Sequence, residues 1–269
     1  TESVRCCGAG PHRPGWIWPM AEKTILQAQG INKQFGAVMA ASDIHVQVPK
    51  GAIISLIGSN GAGKTTFVNM VTGYIKPDAG QFIYQGQDIT GASPRHIARL
   101  GIHRSFQIPQ LCGELTVLEN LLVAESVNSQ TPPSFIRSAR QAHAVAQAEA
   151  TLERFGIEAF GHQRIAELPG GVKKLLDIAM AMAGPTQIML LDEPTSGVAA
   201  DEKFPIMDKV IQALSDQGVT ILFVEHDMDI VARYSERVLA FYAGRIIAND
   251  SPDAVMADSD VQRYITGSV

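Results

Sequence analysis

A chain of 269 residues with 46% hydrophobic content is long enough to bury a large core, arranged as one elaborated domain or two. Its 22 basic and 27 acidic residues leave a net charge of −5, and the basic ones are dispersed, so no nucleic-acid footprint is present. No run of eighteen apolar residues exists, which excludes a spanning helix, and Cys6, Cys7 and Cys112, with no zinc spacing and no secretory segment, point to a reducing cytoplasm.

In chain order, residues 1–20 are rich in Pro, Gly, Cys and Trp and read as a disordered extension, with Met20-Ala-Glu-Lys-Thr24 resembling an ordinary start. Thr24 to Val48 predicts short strands, because Ile44, Val46 and Val48 alternate with His45 and Gln47 as half-buried antiparallel structure requires. Ala52–Ile57 predicts a buried strand, followed by a glycine-rich turn and then a helix from Lys64 to Val71, which contains no Pro. Gly80 to Gly86 predicts another short strand between turns. From Thr116 to Phe160 the pattern becomes helical: Thr116 and Glu119 have capping-box spacing, and Val145, Ala148, Leu152 and Phe155 recur at three and four residues. Thr131-Pro-Pro-Ser134 separates two helical parts, and a further helix is expected over Lys173–Met182. Apolar runs at Ile188–Leu191 and Val219–Val224 suit strands of a parallel sheet covered on both faces.

The chemistry concentrates at the ends of these strands. Gly58-Ser-Asn-Gly-Ala-Gly-Lys-Thr65 fits G-x-x-x-x-G-K-[ST], a match expected by chance in about one chain in a hundred of this length. The strand before it and the helix after it make the stretch a predicted nucleoside triphosphate site. Gly58, Ser59, Asn60, Gly61, Ala62 and Gly63 would turn backbone N–H groups toward phosphate oxygens at a helix N-terminus. Lys64 would reach the β and γ phosphates, Thr65 would place a hydroxyl on Mg²⁺, and Thr66 adds a further donor. Asp192-Glu193 follows an apolar strand. Alone that pair reads as a solvated turn; beside a phosphate loop it reads as a metal and water site, with Asp192 holding Mg²⁺ and Glu193 polarising the attacking water. His226 leaves the end of the next apolar strand, within approach of the γ phosphate. Gln107, in Arg104-Ser-Phe-Gln107, offers a neutral side chain able to touch both Mg²⁺ and water.

The phosphate loop, Gln107, Leu168-Pro-Gly-Gly-Val172, Asp192-Glu193 and His226, in this order, resemble the ATP-binding subunit of ABC transporters over about Lys23 to Thr266. Ile31-Asn-Lys-Gln-Phe-Gly36, Leu115-Thr-Val-Leu-Glu-Asn-Leu-Leu-Val-Ala124 and Val224-Glu-His-Asp-Met-Asp-Ile-Val231 are similar to the larger ATPase type of the branched-chain amino acid importers, a branch that also takes up amides, urea and carboxylic acids. The resemblance implies an α/β fold: a P-loop NTPase core with an antiparallel β subdomain over residues 21–106 and 171–269, and an inserted helical subdomain over 107–170 with the signature segment at its end. It implies a head-to-tail ATPase dimer, homomeric or heteromeric. ATP then lies between one subunit's phosphate loop and the partner's signature, which here is Pro169, Gly170 and Gly171. By position Phe35 would stack on adenine or serve simply in packing, Gln107 would sense the γ phosphate and metal, Glu193 would be the general base, and His226 would hold γ phosphate and water. Two integral membrane permease subunits, one seating a coupling helix beside Gln107, and indirectly an extracytoplasmic solute-binding protein complete the implied machine. The chain would be peripheral on the cytoplasmic face of a bacterial membrane. A soluble ABC ATPase of cofactor assembly, or a weakly hydrolytic structural subunit, is the alternative.

Two departures from the family pattern stand out. Leu-Ser-Gly-Gly-Gln becomes Leu168-Pro-Gly-Gly-Val172, and Pro169 has neither a hydroxyl nor an N–H for phosphate. The acid or amide expected after the Asp-Glu strand is Ala199. Ala199 argues against the family's usual communication across the dimer, and where two different ATPases pair, the altered signature predicts a slower or mainly structural ATP site where it closes the partner's.

Overall fold

The structure, a computed structural model, describes residues 23–105, 110–128 and 142–267. The expectations for residues 1–20, Gln107 and Thr131 to Ser134 lie outside the described residues.

β1 (Thr24–Phe35), β2 (Val38–Pro49), β4 (Ala79–Tyr84) and β5 (Gln87–Asp88) form an antiparallel sheet in the order β2-β1-β4-β5. Ile44, Val46 and Val48 are buried while His45 and Gln47 are exposed, as the alternation predicts. The strands are not short, however: β1 and β2 run 12 residues each, and register shifts along the pair break the sequence alternation without ending the ladder.

β3 (Ile53–Gly58), β6 (Ile102–Ser105), β7 (Ile188–Asp192), β8 (Thr220–Val224), β9 (Arg237–Tyr242) and β10 (Arg245–Asp250) make the second sheet, in the order β10-β9-β3-β8-β7-β6. All its neighbours pair parallel except the edge strand β10, which is antiparallel to β9. Successive side chains of a strand point to opposite faces, and here that splits the interior in two. Ile54, Leu56, Leu190, Leu222 and Leu239 pack with Ile31, Val46 and Phe82 toward the antiparallel sheet. Met189, Leu191, Ile221, Phe223 and Val238 pack toward the helices. Covered on both faces, these strands read as continuous apolar runs.

Among the described residues the α-helices of six or more residues are α1 (Lys64–Val71), α2 (Pro94–Arg99), α3 (Val117–Asn128), α4 (Ala142–Arg154), α5 (Gly170–Ala181), α6 (Lys203–Ser215), α7 (Met228–Tyr234) and α8 (Pro252–Ala257). α3 and α4 pack on each other and on α5, which also touches β6 and α6 and so joins the helical cluster to the sheet. The capping box at α3 is formed: the Thr116 hydroxyl accepts from the Glu119 N–H at 3.2 Å, and Glu119 Oε2 accepts from the Thr116 N–H at 3.0 Å. Thr116→Ala is therefore expected to lower stability by about 1 kcal/mol, read as an earlier denaturant midpoint with unchanged slope.

α5 begins at Gly170, three residues before the Lys173 start expected from sequence. Pro169 is extended (φ −56°, ψ 151°) and occupies the N-cap, so the two glycines form the first turn instead of preceding the helix. A Cβ on Gly171 would meet Ile206 Cδ1 at 2.6 Å, so glycine lets this turn press against α6.

Candidate nucleotide site

The carboxyl ends of the parallel strands β3, β7 and β8 open on one edge of the sheet, and that edge carries the site. Asn60, Gly61, Ala62, Gly63, Lys64, Thr65 and Thr66 meet Glu193, Val224 and His226 around a cleft of about 230 Å³. Residues up to 166 positions apart are thus brought together, Asn60 to His226.

The loop owes its path to close backbone packing. Gly58 (φ 147°) lies where a Cβ would stand 2.3 Å from the Phe241 carbonyl oxygen, and Gly63 (φ 108°) where it would stand 2.4 Å from that of Ala40. Glycine is required at both by neighbouring strands as well as by φ. Lys64 is buried and its ammonium donates to the carbonyl oxygens of Gly58 at 2.6 Å and Ser59 at 3.1 Å. Burial lowers its pKa, while the carboxylates of Glu193 and Asp192 oppose that shift.

At the end of β7 the two acids diverge. Asp192 turns inward, where Arg104 Nη2 on β6 donates to its Oδ2 and Arg104 Nη1 donates to Asn69 Oδ1 on α1. Glu193 adopts φ 48°, a left-handed conformation uncommon for a side-chain-bearing residue, and its N–H donates to the Val224 carbonyl at 3.0 Å. That turn throws its carboxylate out of the strand line and into the cleft, with Oε1 3.4 Å from His226 Nε2. Behind His226, the buried Glu225 accepts from Thr195 and from the His226 N–H.

Thr65 lines the cleft with a hard oxygen of the kind Mg²⁺ takes, whereas Asp192 does not line it and its Oδ2 accepts from Arg104, which leaves its other oxygen as the one suited to such an ion. The loop from Asn60 to Gly63, open to the cleft and leading into the N-terminus of α1, fits a phosphate chain carrying that ion.

The other expected residues lie apart from the cleft. Phe35, at the end of β1, is 47% exposed, and the Lys33 ammonium sits 5.3 Å from its ring centroid. Pro169 and Gly170 are exposed at the start of α5, while Gly171 is buried against α6. None of the three lines the cleft of its own chain. Arg104, Asn69, Glu225 and Lys174, a buried lysine of α5, escape sequence reasoning. Their signal in the sequence is a polar or charged residue inside or beside an apolar segment.

A phosphate loop facing an acid and a histidine from adjacent parallel strands defines a P-loop ATPase of the cassette type. The family model for ABC transporters matches residues 41–196, and the chain belongs to that family. It is 34% identical over 251 residues to the high-affinity branched-chain amino acid transport ATP-binding protein LivG of Escherichia coli K12, covering 90% of this chain and 98% of that protein. It is 32% identical over 253 residues to BraF of Pseudomonas aeruginosa, a protein of the same description, covering 91% and 98%. Among solved structures, an ATP-binding cassette of an ABC transporter in its ADP conformation superimposes with a TM-score of 0.81 at 32% identity, covering 90% of this chain and 98% of that one.

Proposed function

We propose that this chain is the ATP-hydrolysing, energy-coupling subunit of an importer whose solute is a branched-chain amino acid or a related small amide or carboxylate. The observation that carries the reading is the meeting of the phosphate loop with Glu193 and His226 in one cleft. The likeness to LivG and BraF over nearly their whole length supports the solute class.

In this reading Lys64 swings from the loop carbonyls to the β and γ phosphates, and the loop N–H groups hold the same oxygens. Glu193 accepts a proton from water as that water attacks the γ phosphorus in line. The bond from γ phosphorus to the bridging oxygen breaks, leaving ADP and inorganic phosphate. His226, beside Glu193, holds the γ phosphate and the water. Mg²⁺, bound by Thr65, Asp192 and Gln107, would neutralise phosphate charge. Phe35, exposed at the hairpin tip with Lys33 over its ring, would stack on adenine.

Pro169, Gly170 and Gly171, which line nothing in their own cleft, would act on the partner's ATP by the family pattern. The first N–H groups of α5 have no intrahelical acceptor, as a phosphate site in trans would require. Pro169 contributes nothing to it, so that composite site turns over more slowly than the one holding Lys64, Glu193 and His226. Pro169→Ser is expected to raise ATPase rate in the assembled complex about fivefold, the worth of one net hydrogen bond near 1 kcal/mol. An unchanged rate at saturating ATP would place the slow step elsewhere.

The assembly would hold a second ATPase subunit and two integral membrane subunits, with a solute-binding protein outside, and residues 21–106 and 171–269 would be the core flanking a helical subdomain. Among the described residues no helix is long and apolar enough to cross a membrane, and the chain attaches peripherally through those subunits. Gentle affinity purification from native membranes tests the reading. Two hydrophobic subunits and a second ATPase are the expected companions; soluble partners alone would replace it with a role in cofactor assembly.

A further inference from the structure

The ATPase reading uses Glu193 and His226 but leaves unexplained the carboxylate between their two segments. Glu225 follows β8 directly, is only 4% exposed, and has both oxygens engaged. Oε1 accepts from the Thr195 N–H at 3.0 Å and from the Thr195 hydroxyl at 2.7 Å, and Oε2 accepts from the His226 N–H at 3.1 Å. Thr195 is itself buried and stands two residues past Glu193.

We propose that Glu225 is a positioning residue, a buried clamp that ties the segment after Glu193 to the segment carrying His226 and so sets the 3.4 Å approach of those two side chains. The argument is geometric. Glu193 is held at φ 48°, off the path of β7, by main-chain bonds on both sides: its N–H donates to the Val224 carbonyl at 3.0 Å and its carbonyl accepts from the Ser196 N–H at 3.1 Å. The clamp adds three bonds to an ionised acceptor, each stronger than a neutral hydrogen bond. It spans 30 residues of sequence between two neighbouring strand ends, Thr195 to Glu225, so both catalytic side chains are referred to one fixed point.

A carboxylate this deep requires a compensating cation. Lys174, on α5 and 2% exposed, lies in the field of four carboxylates, Asp177 first, then Asp192, Glu225 and Glu193, and Lys203 also feels the charge of Glu225. Burial lowers the Lys174 pKa, and those carboxylates oppose it. α5 is also the helix whose first turn is assigned to the partner's ATP. The helix whose first turn is assigned to one site therefore carries a buried lysine in the field of the carboxylates of the other.

This inference rests on the ATPase reading for its kinetic test but not for its structural one. Glu225→Gln keeps shape and one acceptor, yet turns an N–H donor onto the His226 N–H; Thr195→Ser keeps both donors. In the assembled complex, Glu225→Gln is expected to lower kcat by about ten- to hundredfold with KM for ATP changed by less than about twofold, while Thr195→Ser stays at wild-type rate. In the purified full chain, Glu225→Gln is also expected to move the His226 imidazole NMR resonances, assigned by their loss in His226→Gln. Unmoved His226 resonances, or a kcat equal to wild type, overturn the clamp. No turnover in the wild-type complex, with His226 resonances displaced in Glu225→Gln, overturns the ATPase reading and leaves the clamp standing. Should Glu225→Gln fail to fold, Thr195→Val, which removes one donor and no charge, is held to the same two outcomes.

Discussion

Glu193→Gln is expected to reduce ATP turnover of the assembled complex by about a hundred- to ten-thousandfold while leaving ATP binding intact. The amide is nearly isosteric with the carboxylate, so the turn at φ 48° and the main-chain bond to Val224 survive. What disappears is the base: a neutral amide cannot take the proton of the attacking water. Removing a negative charge from a cleft that must receive phosphates also relieves repulsion, so the affinity for ATP is expected to hold or rise. Parallel measurement of steady-state hydrolysis and of equilibrium binding of a fluorescent ATP analogue separates the two effects. Turnover within a few-fold of wild type would remove Glu193 from the chemistry and leave His226 as the polarising group. The complex supplies a second comparison. If the two composite sites are unequal, Glu193→Gln and the equivalent change in the second ATPase will differ in severity. An equal loss from both would dispose of the asymmetry drawn from Pro169.

Lys64→Met is expected to weaken ATP binding by about a hundredfold, the loss of one or two charge-assisted hydrogen bonds to phosphate. In the structure its ammonium rests on the carbonyl oxygens of Gly58 and Ser59 and not on any carboxylate. Burial already disfavours its charged form, so replacing it with an apolar side chain of similar length removes little folding energy. The variant should therefore unfold within about 1 kcal/mol of wild type and still fail to hold nucleotide. Equilibrium binding beside a denaturant titration decides the matter. Unaltered affinity would mean that the backbone N–H groups alone carry the phosphates, and a large fall in stability would mean that the lysine is a structural strut. Either result changes the role assigned to Lys64, and neither depends on partner subunits.

Much of this protein was legible before any coordinates. The phosphate loop is local: eight consecutive residues of fixed spacing, entered by a strand and left by a helix whose bounds, Lys64 to Val71, agree with the expectation. The buried strands β7 and β8 announced themselves as apolar runs, because a parallel sheet covered on both faces leaves no polar side to interrupt them. The acids and histidine at their ends were placed by simple continuation of those strands. The capping box of α3 is likewise a contact between neighbours three residues apart. Where two influences competed, the local reading slipped: α5 starts at Gly170 because its glycines allow a tight approach to α6, a tertiary gain that outweighs their poor helix propensity. β6, β9 and β10 were not anticipated, being four to six residues long and carrying polar residues such as His103, Arg245 and Asn249 within them.

The sequence by itself determined the class of chemistry, because a phosphate-binding loop is a property of contiguous backbone and needs only glycines at set intervals. Tertiary structure alone decided how the catalytic side chains are held. Arg104 meets Asp192 across 88 residues and Glu225 meets Thr195 across 30, while Lys174 becomes an interior cation only when α5 docks on the sheet. Such pairings depend on which strand ends become neighbours, and strand order in a sheet is set by long-range packing that no spacing along the chain records.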